Sequence, residues 1–587
     1  MTPGCVRHHS CIPAFMGRAE TGIIRGIGKR SSAYRTGALI TTLLIIGSLS
    51  FASAYGQSSY TQSTETDQQK TTISGVVINS LTRAPIGRAL VTSSDQRYAM
   101  LTDSTGHFEF DLKSNPGMPD QGVWLSARKP GFLDEGQRTI SAGPGQDVTI
   151  PLTPESLIVG RVMLSTGDAP TGLGVQLFFR QSIEGLPRWI PRGVAQPNSS
   201  GEFRFADLSP GSYKILTDEM LDRDPDSMIP GGPLYGYPPA YYSGASDFSS
   251  ASTIELTAGQ TVQADLSLTH QPYYSVNIPV IGEVNGPGMM INVSLQGHKG
   301  PGYSLGYNAG SHKIEGLLAN GNYVVTATAQ GERSFFGTVN IKVAGAPADG
   351  PAVNLIPNSS ISFNVKEEFT DTTWRGSASW NVGGRTVPLT GPRMYLQGTS
   401  VESADDFGER VNSSIRPPLG PNDESLVIEG IPPGRYWIRL HSARGYIAAA
   451  SMGTTDVLHQ PVVIGTGSTA SVDVVLRDDY ATIDGSVAGV GPAPLTVGPW
   501  TPPAWISCVP LADSSGEFQQ VPIQSDGKFN FTLPPGSYRV LAFQQQHPSI
   551  PYRDPEAMRA FENKGQVIHV EGNQKLSLEL HLISGEE

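Results

Sequence analysis

The sequence predicts an all-β protein built from tandem β-sandwich domains. Its 587 residues exceed what one hydrophobic core can hold. It contains 67 glycines and 46 prolines with only 16% charged residues, a composition that favours turns and short strands over long helices. One turn pattern also recurs about every hundred residues, which is the length of a sandwich domain and not of a solenoid repeat.

The amino-terminal residues are typical of an export signal. A basic stretch over residues 25–35 precedes the apolar run GALITTLLIIGSLSFASA, which ends in an A-x-A cleavage pattern. We predict a signal peptide in residues 1–56, with cleavage after Ala54 or, as second choice, after Gly56. A polar, flexible linker is expected over 57–70. The alternative is an uncleaved segment that anchors the chain in a membrane.

The recurring line is LPPGSYRVLAF at residues 533–543, and similar lines begin at Leu208, Leu317 and Ile431. Apolar residues alternate with polar ones on both sides of the turn, as expected for strands with one buried face. Pro-Gly suits the centre of a type II turn, so each copy is predicted to be a β-hairpin. The turns are followed by the tyrosines Tyr213, Tyr323, Tyr436 and Tyr538.

Strand-like lines open and close each unit, and a looser fifth copy precedes the other four at residues 104–132. One short helix is expected near the carboxyl terminus, with Asp554 as N-cap, Pro555 in the first turn and Gly565 as C-terminal cap. The predicted sandwiches, called modules 1 to 5 below, cover residues 71–154, 155–270, 271–357, 358–478 and, including the helix, 479–587.

Module 1 contains ISGVVINSLTRAPIGRALVT, TDSTGHFEF and VWLSARKPGF. These lines resemble the carboxypeptidase regulatory-like domain, a transthyretin-like, seven-stranded Greek-key sandwich that is also grouped with starch-binding-like folds. Lines at 237–268 and 550–574 resemble large exported multi-module proteins of acidobacteria. The resemblance implies tandem Greek-key, transthyretin/immunoglobulin-like sandwiches in an extracytoplasmic setting. It implies no activity, because this domain is non-catalytic where it accompanies carboxypeptidases.

Charge and cysteine content exclude two further classes. The formal net charge is −12, and no run of Lys or Arg follows the amino-terminal segment, so a nucleic-acid partner is not expected. Cys508 is the one cysteine of the predicted mature chain, which therefore has no internal disulfide and depends on packing for its stability.

Four motifs resemble chemical sites, and each lacks its structural context. Residues 302–306 match G-x-S-x-G, but a turn follows where a nucleophile elbow requires a helix. His312 and Glu315 match a zinc pair that His441 would complete, yet residues three apart on a strand point to opposite faces. GTGSTA at 465–470 precedes a predicted strand and not a helix. DRDPDS at 222–227 lacks the glycine and glutamate of a calcium loop.

Aromatic loops outside the repeated line are the remaining candidate binding surface. Such rings are favoured at recognition sites, and a sugar ring stacks on them. The alternative, which we favour, is that they pack against their own sandwiches and cover sheet edges. The candidate binding residues are Tyr235, Tyr237, Tyr241, Tyr242, Trp374, Trp380, Trp500 and Trp505.

The sequence therefore predicts a non-catalytic binding, adhesion or scaffolding protein of the cell envelope, with no cofactor and no metal site. It is expected to be periplasmic, outer-membrane-associated or secreted, with envelope proteins or polysaccharide as partners. Membrane contact is expected only through an uncleaved amino-terminal segment. The alternatives are a carbohydrate-binding protein that uses the aromatic loops, and a peptidase- or glycosidase-associated protein with an unrecognised catalytic site.

Overall fold

The computed structural model describes most of residues 71–583. The predicted signal peptide and linker lie outside the described residues. These are 71–112, 123–133, 140–143, 145–222, 234–282, 288–295, 298–329, 333–382, 385–396, 398–411, 414–420, 423–467, 469–490, 502, 504–524, 526–544, 546–547 and 550–583.

The described residues form strands and two short 3₁₀ helices. Module 1 contains β1 to β7, at Thr71–Asn79, Leu90–Ser93, Ala99–Leu101, His107–Leu112, Val123–Arg128, Ile140–Ala142 and Asp147–Leu152. Module 2 contains β8 to β17, at Ser156–Leu164, Val175–Ile183, Leu186–Ala195, Glu202–Leu208, Gly211–Thr217, Met220–Leu221, Leu234–Tyr237, Ile254–Leu256, Thr261–Gln263 and Leu266–Leu268. Module 3 contains β18 to β27, at Gln271–Ile281, Met289–Leu295, His298–Tyr303, Gly306–Asn308, Lys313–Ala319, Gly321–Ala329, Phe335–Val343, Ala348–Asp349, Val353–Asn354 and Ile356–Pro357.

The two carboxyl-terminal modules continue the numbering. Module 4 contains β28 to β38, at Ser359–Glu368, Ser379–Val382, Arg385–Pro388, Ser400–Ser403, Arg410–Val411, Val427–Ile431, Gly434–Arg439, Tyr446–Met452, Thr455–Asp456, Val462–Ile464 and Thr469–Arg477. Module 5 contains β39 to β45, at Ala481–Ala488, Trp505–Pro510, Gln519–Pro522, Lys528–Leu533, Gly536–Phe543, Gln566–Val570 and Lys575–Ile583. The 3₁₀ helices are Gly391–Met394 and Ala557–Phe561.

The same two-sheet topology occurs five times. In module 1, sheet I has the order β4-β1-β7 and sheet II the order β3-β2-β5-β6. The opening strand pairs antiparallel with β4 and parallel with the closing strand β7. The corresponding sheets are β11-β8-β16 and β10-β9-β12-β15 in module 2, β22-β18-β25 and β20-β19-β23-β24 in module 3, and β33-β28-β38 and β32-β31-β34-β37 in module 4. Module 5 has β42-β39-β45 and β41-β40-β43-β44. The predicted tandem Greek-key β-sandwich class is thus confirmed.

Apolar residues collect between the two sheets of each sandwich. Five buried clusters draw their residues from consecutive stretches of chain: 73–152, 158–268, 276–355, 361–476 and 481–580. Each stretch falls within one of the predicted module ranges. Burial of alternate residues explains the pattern of period two in the sequence, since successive side chains of a strand point to opposite faces.

The predicted hairpins at the recurring turn are wrong. β42 pairs with β39, whereas β43, which follows the Pro-Gly turn, pairs with β40 and β44 in the other sheet. The same separation holds for β11 and β12, for β22 and β23, and for β33 and β34. The turn therefore carries the chain across the sandwich, which alternation along a strand does not reveal, because both arrangements bury the same residues.

The tyrosine after each crossing turn holds the corner closed. Its hydroxyl donates a hydrogen bond to the carbonyl four residues earlier: Tyr213 to Ser209 at 2.8 Å, Tyr323 to Ala319 at 3.0 Å, Tyr436 to Pro432 at 2.8 Å and Tyr538 to Pro534 at 2.8 Å. The rings are buried in the module cores. This is the tyrosine corner of Greek-key sandwiches. The turn carbonyl at each corner thereby gains a hydrogen-bond partner.

A glycine on the opening strand distinguishes modules 1, 2 and 5. A Cβ on Gly75, Gly160 or Gly485 would lie 2.0–2.3 Å from a carbonyl oxygen of the closing strand. It would also lie 2.5–2.7 Å from a phenylalanine ring on the neighbouring antiparallel strand. The ring occupies the space that the missing side chain leaves.

The helix predicted near the carboxyl terminus is shorter and tighter than expected. Asp554 Oδ1 accepts hydrogen bonds from the backbone N–H groups of Glu556 and Ala557, as an N-cap would. The regular part is the five-residue 3₁₀ helix Ala557–Phe561, so the predicted α-helix is corrected to a single 3₁₀ segment. Arg539 explains this geometry, because its guanidinium binds the carbonyls of Phe561 and Glu562 at the segment's end.

Modules 2 and 3 share a sheet. β13 pairs with β14, and β14 pairs antiparallel with β18, the opening strand of module 3. The carboxyl of Glu219 lies in this joint, where Tyr273 and Ser304 face it. Burial raises the pKa of Glu219 to about 7 from its ordinary 4.5. Tyr303 and Tyr323 are the other titratable groups close enough to interact with this carboxyl.

Among the described residues, no helix is long and apolar enough to cross a lipid bilayer.

We predict that Tyr538→Phe opens module 5. Loss of the hydroxyl leaves the Pro534 carbonyl without its hydrogen-bond partner, which lowers the free energy of opening by about 1 kcal/mol. This corresponds to a roughly fivefold larger fraction of chains in which module 5 is open. Cys508 is buried in the same core, so its labelling by a thiol reagent, read by mass spectrometry of its peptide, reports the opening. Tyr274→Phe in module 3 is the control and leaves Cys508 labelling unchanged. Equal labelling in both variants would contradict a structural role for the corner bond.

We predict that the stability of the joint between modules 2 and 3 falls as the pH rises from about 4.5 to about 7. In this window the unfolded chain has lost the Glu219 proton while the folded joint retains it. Urea denaturation at about pH 5 and about pH 8 measures the difference. Glu219→Gln, which stays neutral, is expected to reduce this stability difference. The exposed control Glu579→Gln is expected to leave the difference unchanged. If the stability difference between the two pH values is the same in Glu219→Gln as in the original chain, Glu219 is not the group responsible for it.

Candidate functional site

The predicted aromatic residues of module 2 pack inside the protein. Tyr237 and Tyr241 are each 4% exposed. Tyr235 stacks on His270, with ring centroids 4.8 Å apart and an interplanar angle of 18°. The Tyr241 hydroxyl donates to the Pro301 carbonyl at 2.9 Å, which ties module 2 to module 3. Tyr242 is half-buried against the module 2 core.

The predicted tryptophans are dispersed over modules 4 and 5. Trp374 packs edge-on against Tyr395 at 6.0 Å in the module 4 core, and Trp380 lies half-buried on β29. Trp505 begins β40, and Trp500 lies outside the described residues. In the part of the chain that the structure describes, no ring contact joins the module 2 tyrosines to these tryptophans. The predicted set therefore does not assemble into one surface there.

The four motifs acquire structural explanations. Ser304 is followed at once by β21, where a nucleophile elbow requires a helix. Glu315 accepts hydrogen bonds from Asn308 and Ser311, a turn network on the module 3 surface. β38 begins within the GTGSTA line, as the sequence predicted. DRDPDS lies outside the described residues except for Asp222, whose carboxylate is 3.2 Å from His270 Nε2.

No group of three or more His, Cys, Asp or Glu side chains within the described ranges is arranged to hold a metal ion. Burial raises the pKa of the Cys508 thiol, which keeps it protonated and unreactive.

Modules 2 and 4 lock together although they are not neighbours in sequence. The backbone N–H of Trp189, on the edge strand β10, donates to the Asp406 carbonyl at 2.8 Å. The buried Arg188 guanidinium donates to the Asp405 carbonyl. The ring of Phe407 packs against that of Phe248 at 5.1 Å. An edge strand and a second small apolar cluster thus join the two sandwiches.

A buried lysine braces this junction. The Lys214 ammonium lies 5.1 Å from the ring centroids of both Trp189 and Phe248. It donates hydrogen bonds to the carbonyls of Phe248 and Ser249, at 2.8 and 3.0 Å. Burial lowers its pKa. Cation–π contacts and carbonyl partners together compensate the loss of hydration.

Module 5 completes the arrangement by touching both modules. The backbone N–H of Arg553 donates a hydrogen bond to the Gly185 carbonyl at 3.1 Å, at the turn between β9 and β10. The ring of Tyr552 covers Gly185, where a Cβ would lie only 2.7 Å from it. On the other side, His459 of module 4 hydrogen-bonds to the Ser514 carbonyl at 3.0 Å. Modules 2, 4 and 5 therefore meet around one open cleft.

That cleft has a volume of about 680 Å³. Its walls come from the outer face of sheet II in module 4, from the loops of module 5 around β40 and the 3₁₀ helix, and from Glu184 of module 2. The side chains that give it its chemical character are Glu184, Glu402, Arg410, Trp437, Arg439, His441, Leu458, Glu517, Arg539, Tyr552, Arg553, Met558 and Glu562.

Two guanidinium groups flank one indole at the centre of the cleft. Arg439 lies 5.2 Å and Arg553 lies 5.3 Å from the ring centroid of Trp437. Trp437 and Arg439 both project outward from β34, since the alternate residues Tyr436 and Ile438 are buried. Arg553 approaches from module 5, so the charge pair forms only where the two modules meet.

A single buried carboxylate balances part of this positive charge. Glu402, 5% exposed, lies with Oε2 3.3 Å from Arg439 Nε and with Oε1 3.3 Å from Arg410 Nε. Arg439 Nη2 is buried and has no hydrogen-bond partner among the described residues. Burial, and next the charge of Arg553, lower the pKa of Arg439. Within the same described residues, no carboxylate lies at ion-pair distance from Arg553.

Sequence reasoning missed the cleft, although the repeated line contained a signal. The residue after the corner tyrosine points out of the sandwich: Lys214 in module 2, Val324 in module 3, Trp437 in module 4 and Arg539 in module 5. A tryptophan on the outer face of a sheet is such a signal, because large aromatic side chains are enriched at contact and recognition surfaces. Lys214, Trp437 and Arg539 all lie at junctions.

Comparisons with known proteins find only distant structural likeness. No family model and no curated protein matches the chain. Among solved structures, the Bacillus anthracis TIE protein aligns at 12% identity over 74% of this chain and 75% of its own, with a TM-score of 0.14. A streptococcal ancillary pilin aligns at 10% identity over 53% and 98%, with a TM-score of 0.17. The RrgB pilus protein of Streptococcus pneumoniae aligns at 11% identity over 74% and 99%, with a TM-score of 0.13.

We predict that Glu402→Gln destabilises the chain by about 3 kcal/mol, because it leaves two guanidinium groups facing each other without their shared, buried counter-ion. Urea denaturation measures the change. Glu409→Gln, an exposed carboxylate seven residues along, is the matched control and stays within about 0.5 kcal/mol of the original chain. Similar stability of the two variants would show that the Arg410 and Arg439 charges are not held by Glu402.

Proposed function

We propose that this chain is an exported, non-catalytic binding protein of the cell envelope, in an adhesion or scaffolding role, and that the cleft between modules 2, 4 and 5 is its binding site. The observation that carries the proposal is the cleft itself: an outward tryptophan, two guanidinium groups and an unpaired, buried Arg439 Nη2, in a space of about 680 Å³. Convergent polar groups around an apolar surface characterise ligand sites.

The other described features support a binding role over catalysis. The candidate nucleophile, zinc and nucleotide motifs all lie in strands or turns that lack the required partners. Export is supported by the sequence of residues 1–56, with its basic stretch, apolar run and A-x-A pattern. The interlocked modules favour a rigid platform, because each of the three junctions around the cleft includes a hydrogen bond to a backbone carbonyl.

We also propose that the modules are carboxypeptidase regulatory-like sandwiches. Three features support this: the recurring order of seven strands, the parallel pairing of opening and closing strands, and the glycine–phenylalanine contact in modules 1, 2 and 5. The proposal concerns fold ancestry and brings no activity with it. Where such a domain has a function of its own, its outer faces and junctions carry it.

Sedimentation of the purified full chain with envelopes from its source organism tests the binding role. Trp437→Ala is expected to reduce binding by roughly thirtyfold or more, because a recognition tryptophan contributes about 2 kcal/mol or more. Trp380→Ala, a half-buried tryptophan in an aromatic loop of the same module, is the matched control and binds like the original chain. Loss with Trp380→Ala alone would move the site to the aromatic loops, and no binding by the original chain would refute the proposal.

Incubation of the purified chain with peptide and glycan substrates, with and without added Zn²⁺, tests the non-catalytic role. We expect no product above the rate without protein. Turnover that persists through purification would contradict the proposal and would direct attention to a catalytic site.

A further inference from the structure

We propose that the cleft takes a sugar acid, with the carboxylate of a uronate unit bound between Arg439 and Arg553. The inference rests on the proposed binding role of the cleft and adds the ligand class. Its starting point is the charge distribution around Trp437, where Arg439 and Arg553 lie within 5.3 Å of the ring centroid and the buried Glu402 carboxylate pairs with Arg439 and Arg410.

Positive charge exceeds buried negative charge in this arrangement, because Glu517, whose charge also interacts with Arg439 and Arg553, is exposed. Glu402 occupies the Nε sides of Arg410 and Arg439 and leaves Arg439 Nη2 buried without an acceptor. Arg553 has no carboxylate at ion-pair distance among the described residues, and both cations lie within 5.3 Å of the Trp437 centroid. A planar carboxylate accepts hydrogen bonds from guanidinium groups in matching geometry. It would satisfy Nη2 and compensate Arg553 together.

The remaining wall favours hydroxyl groups beside that carboxylate. Glu184, Glu517 and Glu562 line the cleft as acceptors, so they bind ligands that carry donors. His441 lies among them, 3.9 Å from the Glu517 carboxylate. A second or third carboxylate on the ligand would meet these acids, which disfavours an acidic peptide. A uronate carries one carboxylate and several hydroxyls on each ring.

Size and apolar surface agree with a short oligosaccharide. The volume of about 680 Å³ lies within the range of small-ligand sites, roughly 300–1,000 Å³. Leu458, Met558 and the Trp437 indole supply apolar surface on the same walls. The C–H faces of a pyranose ring pack on such groups while its hydroxyls reach the polar ones. The arrangement thus suits a unit of one to three rings.

Calorimetric titration of the full chain with a trisaccharide that contains a single uronate unit tests the proposal, with the methyl ester of that trisaccharide and the tripeptide Glu-Glu-Glu as comparison probes. We expect binding of the acid, and binding of the ester that is weaker by roughly 10- to 100-fold, because charge-assisted hydrogen bonds are lost. We expect little binding of the peptide. Added salt should weaken binding of the acid more than binding of the ester.

The matched variants are Arg553→Gln and Arg559→Gln. Arg553 lines the cleft, whereas Arg559, six residues along, is exposed outside it. We expect a loss of about tenfold with Arg553→Gln and none with Arg559→Gln. Protection of Cys508 from thiol labelling shows that each variant is folded. The ester comparison needs no variant, so a misfolded protein does not remove the test.

Three outcomes overturn the inference. Equal binding of acid and ester would exclude the carboxylate contact, and preferred binding of the tripeptide would replace a sugar acid by a peptide. No binding of any probe, with envelope binding still dependent on Trp437, would refute the ligand class and leave the proposed function intact. If the chain binds no probe and its binding to envelopes does not depend on Trp437, the proposed function itself is refuted.

Discussion

The hydrogen bond from a corner tyrosine to the carbonyl four residues earlier is the interaction on which each of modules 2 to 5 depends. A sandwich requires the chain to leave one sheet and enter the other, and the crossing exposes backbone groups to an apolar core. Tyr538 and its counterparts satisfy one such group with a hydroxyl while filling the core with the ring. One residue thereby fixes the crossing, the register of the strand that follows and part of the packing between sheets.

The same corner determines how the modules join. Because the tyrosine points inward, the next residue must point outward from sheet II. At that position Lys214 contacts Trp189 and Phe248 on the module 2 side of the junction with module 4, Trp437 lines the cleft, and Arg539 binds carbonyls at the end of the 3₁₀ segment of module 5. A feature that repeats for reasons of folding thus places variable side chains at equivalent sites. The variation at these sites is where function can differ from module to module.

In the proposed binding role, the repulsion between like charges at the cleft would favour a ligand of opposite charge. Arg439 and Arg553 come from different modules, and their approach to Trp437 brings like charges together. Glu402 compensates part of that repulsion, and a bound anion would compensate more. A ligand that supplies the missing charge would therefore also strengthen the contact between modules 4 and 5.

The sequence alone determined the all-β class, because alternation with period two and recurrent Pro-Gly turns depend only on local chemistry and on one buried face. It also placed a short helical segment after Asp554, although the regular part begins at Ala557 and its N-cap position is Glu556. It did not determine that the strands on either side of each turn belong to different sheets, since hairpin and crossing bury the same residues. The cleft was decided by tertiary structure only: Trp437 and Arg553 are more than a hundred residues apart in sequence. Their meeting depends on the folding back of module 5 onto modules 2 and 4, which no local pattern encodes.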